Sequence, residues 1–110
     1  MKREDLHQAV RRAAIVARAE ANKLIFKTED GTLFVRAESS DLGDALEELP
    51  VELEGQDLEM AFSAEYLIDA LAAMGSETVE LDVSGALDPA LLRGSQDPGY
   101  LCLIMPMQIM

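Results

Sequence analysis

The chain holds one cysteine, one histidine and only 5% aromatic residues among its 110 residues. A lone cysteine cannot close an internal disulfide, and without paired cysteine spacings or a Cys/His cluster there is no zinc module. No metal and no cofactor are expected. The seven glycines are scattered, mostly at turns, so no glycine-rich loop is present to cradle a phosphate. The longest apolar run, Leu101 to Met107, contains Pro106 and is far short of the ~20 residues of a membrane span. The start of the chain also lacks a basic, apolar, small-residue leader. These absences lead us to expect a cytoplasmic protein with no membrane contact.

What is present suffices for a core: 49% of residues are hydrophobic and 27% charged, the balance of a globular chain. A single domain over residues 1–110 is expected. Basic residues are scarce, nine against 21 acids, for a net charge of −12. Spread evenly, that charge would repel nucleic acid. It is not spread evenly, because Lys2, Arg3, Arg11, Arg12 and Arg18 face only Glu4 and Asp5 within residues 2–18. Two readings fit this asymmetry: a basic helix docked on an acidic body, or a basic surface kept for a polyanion.

From Arg3 to Arg18 there is neither glycine nor proline, and Leu6, Ala9, Val10, Ala13, Ala14 and Ala17 share one arc at 100° per residue. An amphipathic helix is predicted there. Ile15 falls in the middle of the polar arc, where it is either one of the isolated apolar residues common on surfaces or a point of contact between protomers.

Lys23 to Thr28 and Thr32 to Glu38 flank an Asp30-Gly31 tip, a hairpin signal. Asp44 to Leu49 and Val51 to Leu53 read as extended chain broken at Pro50, and a Gly55-Gln56-Asp57 turn leads into Leu58 to Phe62. Ser63 is a candidate N-cap for a second helix through Met74, stopped by Gly75. Val79, Leu81 and Val83 alternate as a half-buried strand, residues 90–92 make a short one, and Asp97-Pro98-Gly99 turns the chain before Tyr100 to Met105. The predicted fold class is α+β, a helix followed by three strands occurring twice. Leu58 to Phe62 is an extra strand ahead of the second helix, whereas only Met1 and Lys2 precede the first. The duplicated pattern is therefore short of one edge strand.

Catalytic constellations are not apparent. His7 lies near Arg3 and Arg11 with no serine or cysteine spaced to pair with it. Glu47 with Glu48 and Glu52 with Glu54 fall among alternating apolar residues, as on a wet sheet face. A small α+β enzyme would need such carboxylates gathered in one cleft with raised pKa values. Cys102 sits inside the last apolar strand, where a thiol is ordinarily inert packing.

The end of the chain is distinctive: an apolar strand runs into Met105-Pro106-Met107 with no charge to close it. Either the tail folds back as core or it forms an adaptable apolar patch that captures a peptide. Four stretches then carry a resemblance: Arg3-Glu-Asp-Leu-His-Gln-Ala-Val-Arg-Arg-Ala-Ala-Ile-Val16, Glu47-Glu-Leu-Pro-Val51, Met60-Ala-Phe-Ser-Ala-Glu-Tyr-Leu-Ile-Asp-Ala-Leu71 and Pro98-Gly-Tyr-Leu-Cys-Leu-Ile-Met-Pro-Met107. In that order, over almost the whole chain, the sequence resembles the C-terminal third of bacterial sliding clamps, the beta subunits of the replicative DNA polymerase.

The resemblance implies a DNA-clamp domain fold, two helices packed on antiparallel sheets, from a ring that holds partners on double-stranded DNA and is not an enzyme. Helices would line the hole, with Arg3, Arg11, Arg12 and Arg18 facing DNA through weak, sequence-independent phosphate contacts. A pocket for short Gln-and-Leu-rich peptides of DNA polymerase, clamp loader and repair proteins would use Ser63, Tyr66, Leu87, Pro89, Leu103, Ile104, Met105, Pro106, Met107, Gln108 and Ile109. Ile15 and Val16 match the place where such a domain meets the next protomer, the subunit interface of the ring. The chain departs from the family at Ser63 and Lys2, both commonly Asn there, and in ending Gln108-Ile109-Met110 where Arg-Leu is common. The pocket residues contributed by a middle domain are absent from this sequence. The resemblance thus implies a domain excised from a longer clamp, a partner-binding fragment that does not encircle DNA, or a free-standing version that assembles into a homo-oligomeric ring.

Overall fold

The computed structural model describes residues 1–18, 21–52, 56–85, 88–94 and 97–107. Among the described residues nine elements follow one another: α1 (Arg3–Ala17), β1 (Lys23–Glu29), β2 (Thr32–Ser39), β3 (Gly43–Pro50), β4 (Glu59–Ser63), α2 (Ala64–Ala73), β5 (Val79–Asp82), β6 (Ala90–Gly94) and β7 (Asp97–Ile104). They form two antiparallel sheets, ordered β3-β2-β1-β4 and β5-β6-β7.

The apolar arc read from the sequence is the buried face of α1: Leu6, Ala9, Val10, Ala13, Ala14 and Ala17 are all buried. Four of those six are alanines, so the helix backbone lies close to the strands beneath it, across β1, β2 and β3. Helix α2 buries Leu67, Ala70 and Leu71 and packs beside α1. The pair runs antiparallel. Arg3, at the start of α1, donates from Nε to the Ser76 carbonyl (3.0 Å) and from Nη1 to the Leu71 carbonyl (3.1 Å), both at the far end of α2. A cation here meets the negative end of the α2 dipole and satisfies carbonyls that the helix leaves unpaired.

The β1–β2 hairpin turns at Asp30 and Gly31, both at positive φ (50° and 75°), as expected for an Asp-Gly tip. Beneath the helices, Phe26 and Phe62 meet edge to face with ring centroids 5.3 Å apart, the favoured geometry for an aromatic pair. Phe62, Leu24, Leu67, Leu71 and Leu92 are fully buried, joining both sheets and α2 in one core.

Three boundaries differ from the sequence reading. Strand β3 continues through Pro50, which pairs with Thr32; as the outermost strand it tolerates a residue without an N–H. Strand β6 extends to Gly94, and Asp97 to Gly99, expected as a turn, belong to β7 across a bulge at Arg93/Gly94. Gly94 is required by close approach rather than by its torsion angles. A Cβ there would lie 2.6 Å from the Ser76 Cβ. The expected extension through Leu53 and the turn beginning at Gly55 lie outside the described residues.

The duplication is visible at both helix starts. Lys2 (φ −73°, ψ 132°) and Ser63 (φ −75°, ψ 124°) hold the same extended conformation just ahead of their helices. The Arg3 N–H donates to the Glu77 carbonyl and the Ala64 N–H to the Asn22 carbonyl, each at 2.8 Å. In the second half the lead-in is a whole strand, β4, paired with β1 over five residues. In the first half it is Met1 and Lys2, bridged to Val79 and Thr78.

Candidate functional site

Strand β4 passes into α2 without a loop, and the terminal Met-Pro-Met segment lies against that junction. The Met107 N–H donates to the Ala61 carbonyl at 2.7 Å, an antiparallel bridge. Ser63 occupies the N-cap position, but its side chain makes no capping bond. The first N–H of α2, that of Ala64, donates to the Asn22 carbonyl.

Within β7 the pleat separates two sets of side chains. Ile104 is buried and pairs with Ala90, whereas Leu103 and Met105 are 60% and 62% exposed. The expectation that Ile104 lines a peptide pocket is corrected here: its side chain belongs to the core, because strand alternation sends it to the inner face. Tyr66 is 67% exposed one turn into α2, and α2 packs against β7. Pro106 and Met107 are half-buried, and Pro89 is exposed in the register position beside Met105. The result is an apolar outer surface of Tyr66, Leu103 and Met105 with Pro89 and Pro106 at its margin. Leu87, Gln108 and Ile109 lie outside the described residues. One further participant is absent from the sequence reading: Leu101, 60% exposed on the same face of β7. The i, i+2, i+4 spacing of Leu101, Leu103 and Met105 is the signal that marks it.

The four arginines expected to face DNA divide into two pairs. The Arg3 guanidinium is half-buried and donates to the Leu71 and Ser76 carbonyls at the end of α2 and just beyond it. Arg12 Nη2 lies 2.7 Å from Glu47 Oε1 on β3, with Nε donating to the same oxygen at 2.9 Å. This hydrogen bond raises the guanidinium pKa further above its ordinary value. Its charge is therefore shared with an acid of its own sheet. Arg11 and Arg18 are exposed, and no ion pair of either is present among the described residues.

Ile15 is 61% exposed. At spacings of four and three residues it falls on one ridge with Arg11 and Arg18. Val16 follows Arg12 by one turn, is half-buried and packs on the core. On the same helix His7 has its pKa lowered, first by burial and then by the nearby Arg11 and Arg3 charges. That favours a neutral imidazole near neutral pH. The exposed part of α2 offers no base, only Glu65 and Asp69, so of the two helices only α1 presents positive charge. No helix among the described residues is long and apolar enough to cross a membrane.

Comparison with known proteins places the chain in a family. Residues 1–108 match the family model of the DNA polymerase III beta subunit, C-terminal domain. The beta sliding clamp of Streptomyces coelicolor is 38% identical over 109 residues, covering 93% of this chain and 28% of the relative. That of Pseudomonas putida is 33% identical, covering 97% of this chain and 29% of the relative. A crystal structure of the sliding clamp from Pseudomonas aeruginosa bound to griselimycin superposes with a TM-score of 0.92 at 28% identity, over 99% of this chain and 30% of that one. The Thermotoga maritima DNA polymerase III beta subunit gives a TM-score of 0.95 at 24% identity, over 100% of this chain and 30% of that one, and speaks for the fold. The chain spans less than a third of the length of these proteins. With two similar helices backed by antiparallel sheets and a match over nearly its full length, it belongs to the family of C-terminal domains of the DNA polymerase III beta subunit.

Proposed function

We propose that this chain serves as a sliding-clamp C-terminal domain, a non-catalytic processivity element that tethers partner proteins to double-stranded DNA in the cytoplasm. The observation that carries this reading is the exposed set Tyr66, Leu103 and Met105 where α2 meets the terminal Met-Pro-Met segment. Three large apolar side chains at 60–67% exposure gain free energy by being covered, and methionine adapts to varied shapes. Short Gln-Leu-x-Leu-Phe peptides from DNA polymerase, clamp loader and repair proteins are the proposed ligands. DNA contact falls to Arg11 and Arg18, weak and independent of sequence.

The test is fluorescence anisotropy with a labelled Gln-Leu-x-Leu-Phe peptide. Tyr66→Ala and Met105→Ala are each expected to weaken binding about tenfold, equivalent to ~1.4 kcal/mol. Unchanged affinity in both variants would overturn the reading.

Ile15, together with the outer edge of β3, which no strand covers among the described residues, favours a second role at the same time: an interface with a neighbouring clamp domain or a second copy. Light scattering at high concentration tests the self-assembled form. A ring or smaller oligomer that Ile15→Glu dissolves would support it, and a monomer of 12.0 kDa would exclude it.

A further inference from the structure

Six methionines stand in the chain, at positions 1, 60, 74, 105, 107 and 110, and the fold sorts the described ones sharply. Met60 and Met74 are buried in the core at 2% and 4% exposure, whereas Met1 and Met107 are half-buried. Met105 is 62% exposed. Its place is fixed from both sides. Ile104 before it is buried and pairs with Ala90, and Met107 after it is tied to the Ala61 carbonyl at 2.7 Å. Pro106 also holds Met105 in extended chain, because a proline ring disfavours the helical region for the residue ahead of it. With the backbone pinned and strand alternation sending the side chain outward, the thioether stays within reach of solvent.

We propose that Met105 is a reversible oxidation site whose sulfoxide releases peptides docked on the Tyr66, Leu103 and Met105 surface, an inference that rests on the docking function proposed above. The oxidant is hydrogen peroxide. A lone pair of the Met105 Sδ attacks one peroxide oxygen, and the O–O bond breaks as the S–O bond forms. The departing hydroxide takes the proton left on the transferred oxygen and leaves as water. The sulfur is thus oxidised by two electrons and the peroxide reduced by two. The product replaces a soft apolar side chain with a polar, chiral one. An apolar anchor of a docked peptide then covers a sulfoxide oxygen without offering it a donor, and burying an unpaired acceptor carries a cost that the thioether does not. Leu103, exposed on the same face, supplies similar apolar area but has no sulfur to oxidise.

Exposure also separates a switch from damage. Sulfoxide at Met60 or Met74 would lie in the core and disrupt its packing. At Met105 it stands in solvent, leaves the core intact and remains accessible to the reductases that restore the thioether. A docked peptide covers the same sulfur, so an occupied surface is protected and a vacant one is sensitive.

The test treats the full chain with dilute hydrogen peroxide, maps the products by mass spectrometry, and titrates the chain before and after with the labelled Gln-Leu-x-Leu-Phe peptide. Sulfoxide is expected to form about tenfold faster at Met105 than at Met60 or Met74, and more slowly when the peptide is saturating. Peptide affinity is expected to fall about tenfold after treatment and to recover on reduction by the two methionine sulfoxide reductases, one for each epimer, with dithiothreitol. The melting temperature is expected to stay unchanged. Met105→Leu is expected to show the same affinity before and after peroxide, while Met107→Leu still loses affinity. Three results would overturn the proposal alone: Met105 oxidised no faster than the core methionines, equal affinity of the treated and untreated chain, or a loss that persists in Met105→Leu. Mass spectrometry reads the oxidation whether or not the peptide binds. An untreated chain that does not bind the peptide would overturn the docking function, and this proposal with it.

Discussion

The sheet β3-β2-β1-β4 and the sheet β5-β6-β7 resemble one another, and among the described residues the first holds four strands, with β4 crossing from the other half, and the second three. The four-stranded sheet holds the aromatic pair Phe26 and Phe62, with Leu24, Leu33 and Val35 buried around it. The three-stranded one leaves Leu81 and Val83 half-covered above a cavity. The four-stranded half carries much of the core, while the outer face of β7 and the residue that follows it present Leu101, Leu103 and Met105 to solvent.

That contrast is most sharply broken by Phe62→Ala. Removing a fully buried ring with an edge-on partner is expected to cost ~3–5 kcal/mol, read from urea denaturation. Leu81→Ala, in the three-stranded sheet, is expected to cost about 1 kcal/mol, since its side chain is only half-buried. Equal losses would deny the difference between the sheets.

Next in size is Gly94→Ala, which joins the three-stranded sheet to the end of α2. The added methyl would stand 2.6 Å from the Ser76 Cβ, between backbone segments with little room to yield. A loss of ~1–3 kcal/mol is expected from thermal melting. Wild-type stability would mean that β6 and the Ser76 segment are not held together as described.

A smaller but more informative effect separates the arginines of α1. Arg3→Met is expected to lower stability by about 1–2 kcal/mol, through loss of its bonds to the Leu71 and Ser76 carbonyls, while leaving DNA affinity unchanged. Arg11→Ala with Arg18→Ala is expected to do the reverse: affinity for duplex DNA falls and the slope against salt is reduced by up to about 2, with melting unaltered. Electrophoretic or anisotropy titrations at two salt concentrations distinguish them.

The smallest effect is that of His7. Its folded-state pKa lies below the ordinary histidine value of 6.5, chiefly from burial, so the unfolded chain binds the proton more readily. Its contribution to stability is complete above about pH 6.5 and declines as the pH falls through the lowered folded value. His7→Gln is expected to flatten that slope slightly in melting curves between about pH 7 and 5. An unchanged slope would remove His7 as its source.

Much of the fold is legible in the sequence because its elements carry strong local periodicity. The six buried residues of α1 are those the 100° arc selects, Ile15 is exposed as its angle implies, and the Asp30-Gly31 tip turns as its residue types require. What cannot be read depends on distant chain segments. Nothing local marks Arg3 as the partner of carbonyls 68 and 73 residues away. Nor does anything local mark Arg12 as the partner of Glu47, or the Asn22 carbonyl as the acceptor for the first N–H of α2. The inward turn of Ile104 follows from alternation with Leu103 and Met105. Treating the terminal segment as one continuous patch obscures it.

The central claim is that Tyr66, Leu103 and Met105 form a docking face separate from the arginine ridge of α1. Two-dimensional amide NMR of the labelled chain, titrated with a Gln-Leu-x-Leu-Phe peptide, tests it most directly. Shifts are predicted at Tyr66, Leu103 and Met105 and none at Arg11, Ile15 or Arg18. A spectrum unmoved at the first three positions, or moved chiefly along α1, would contradict it.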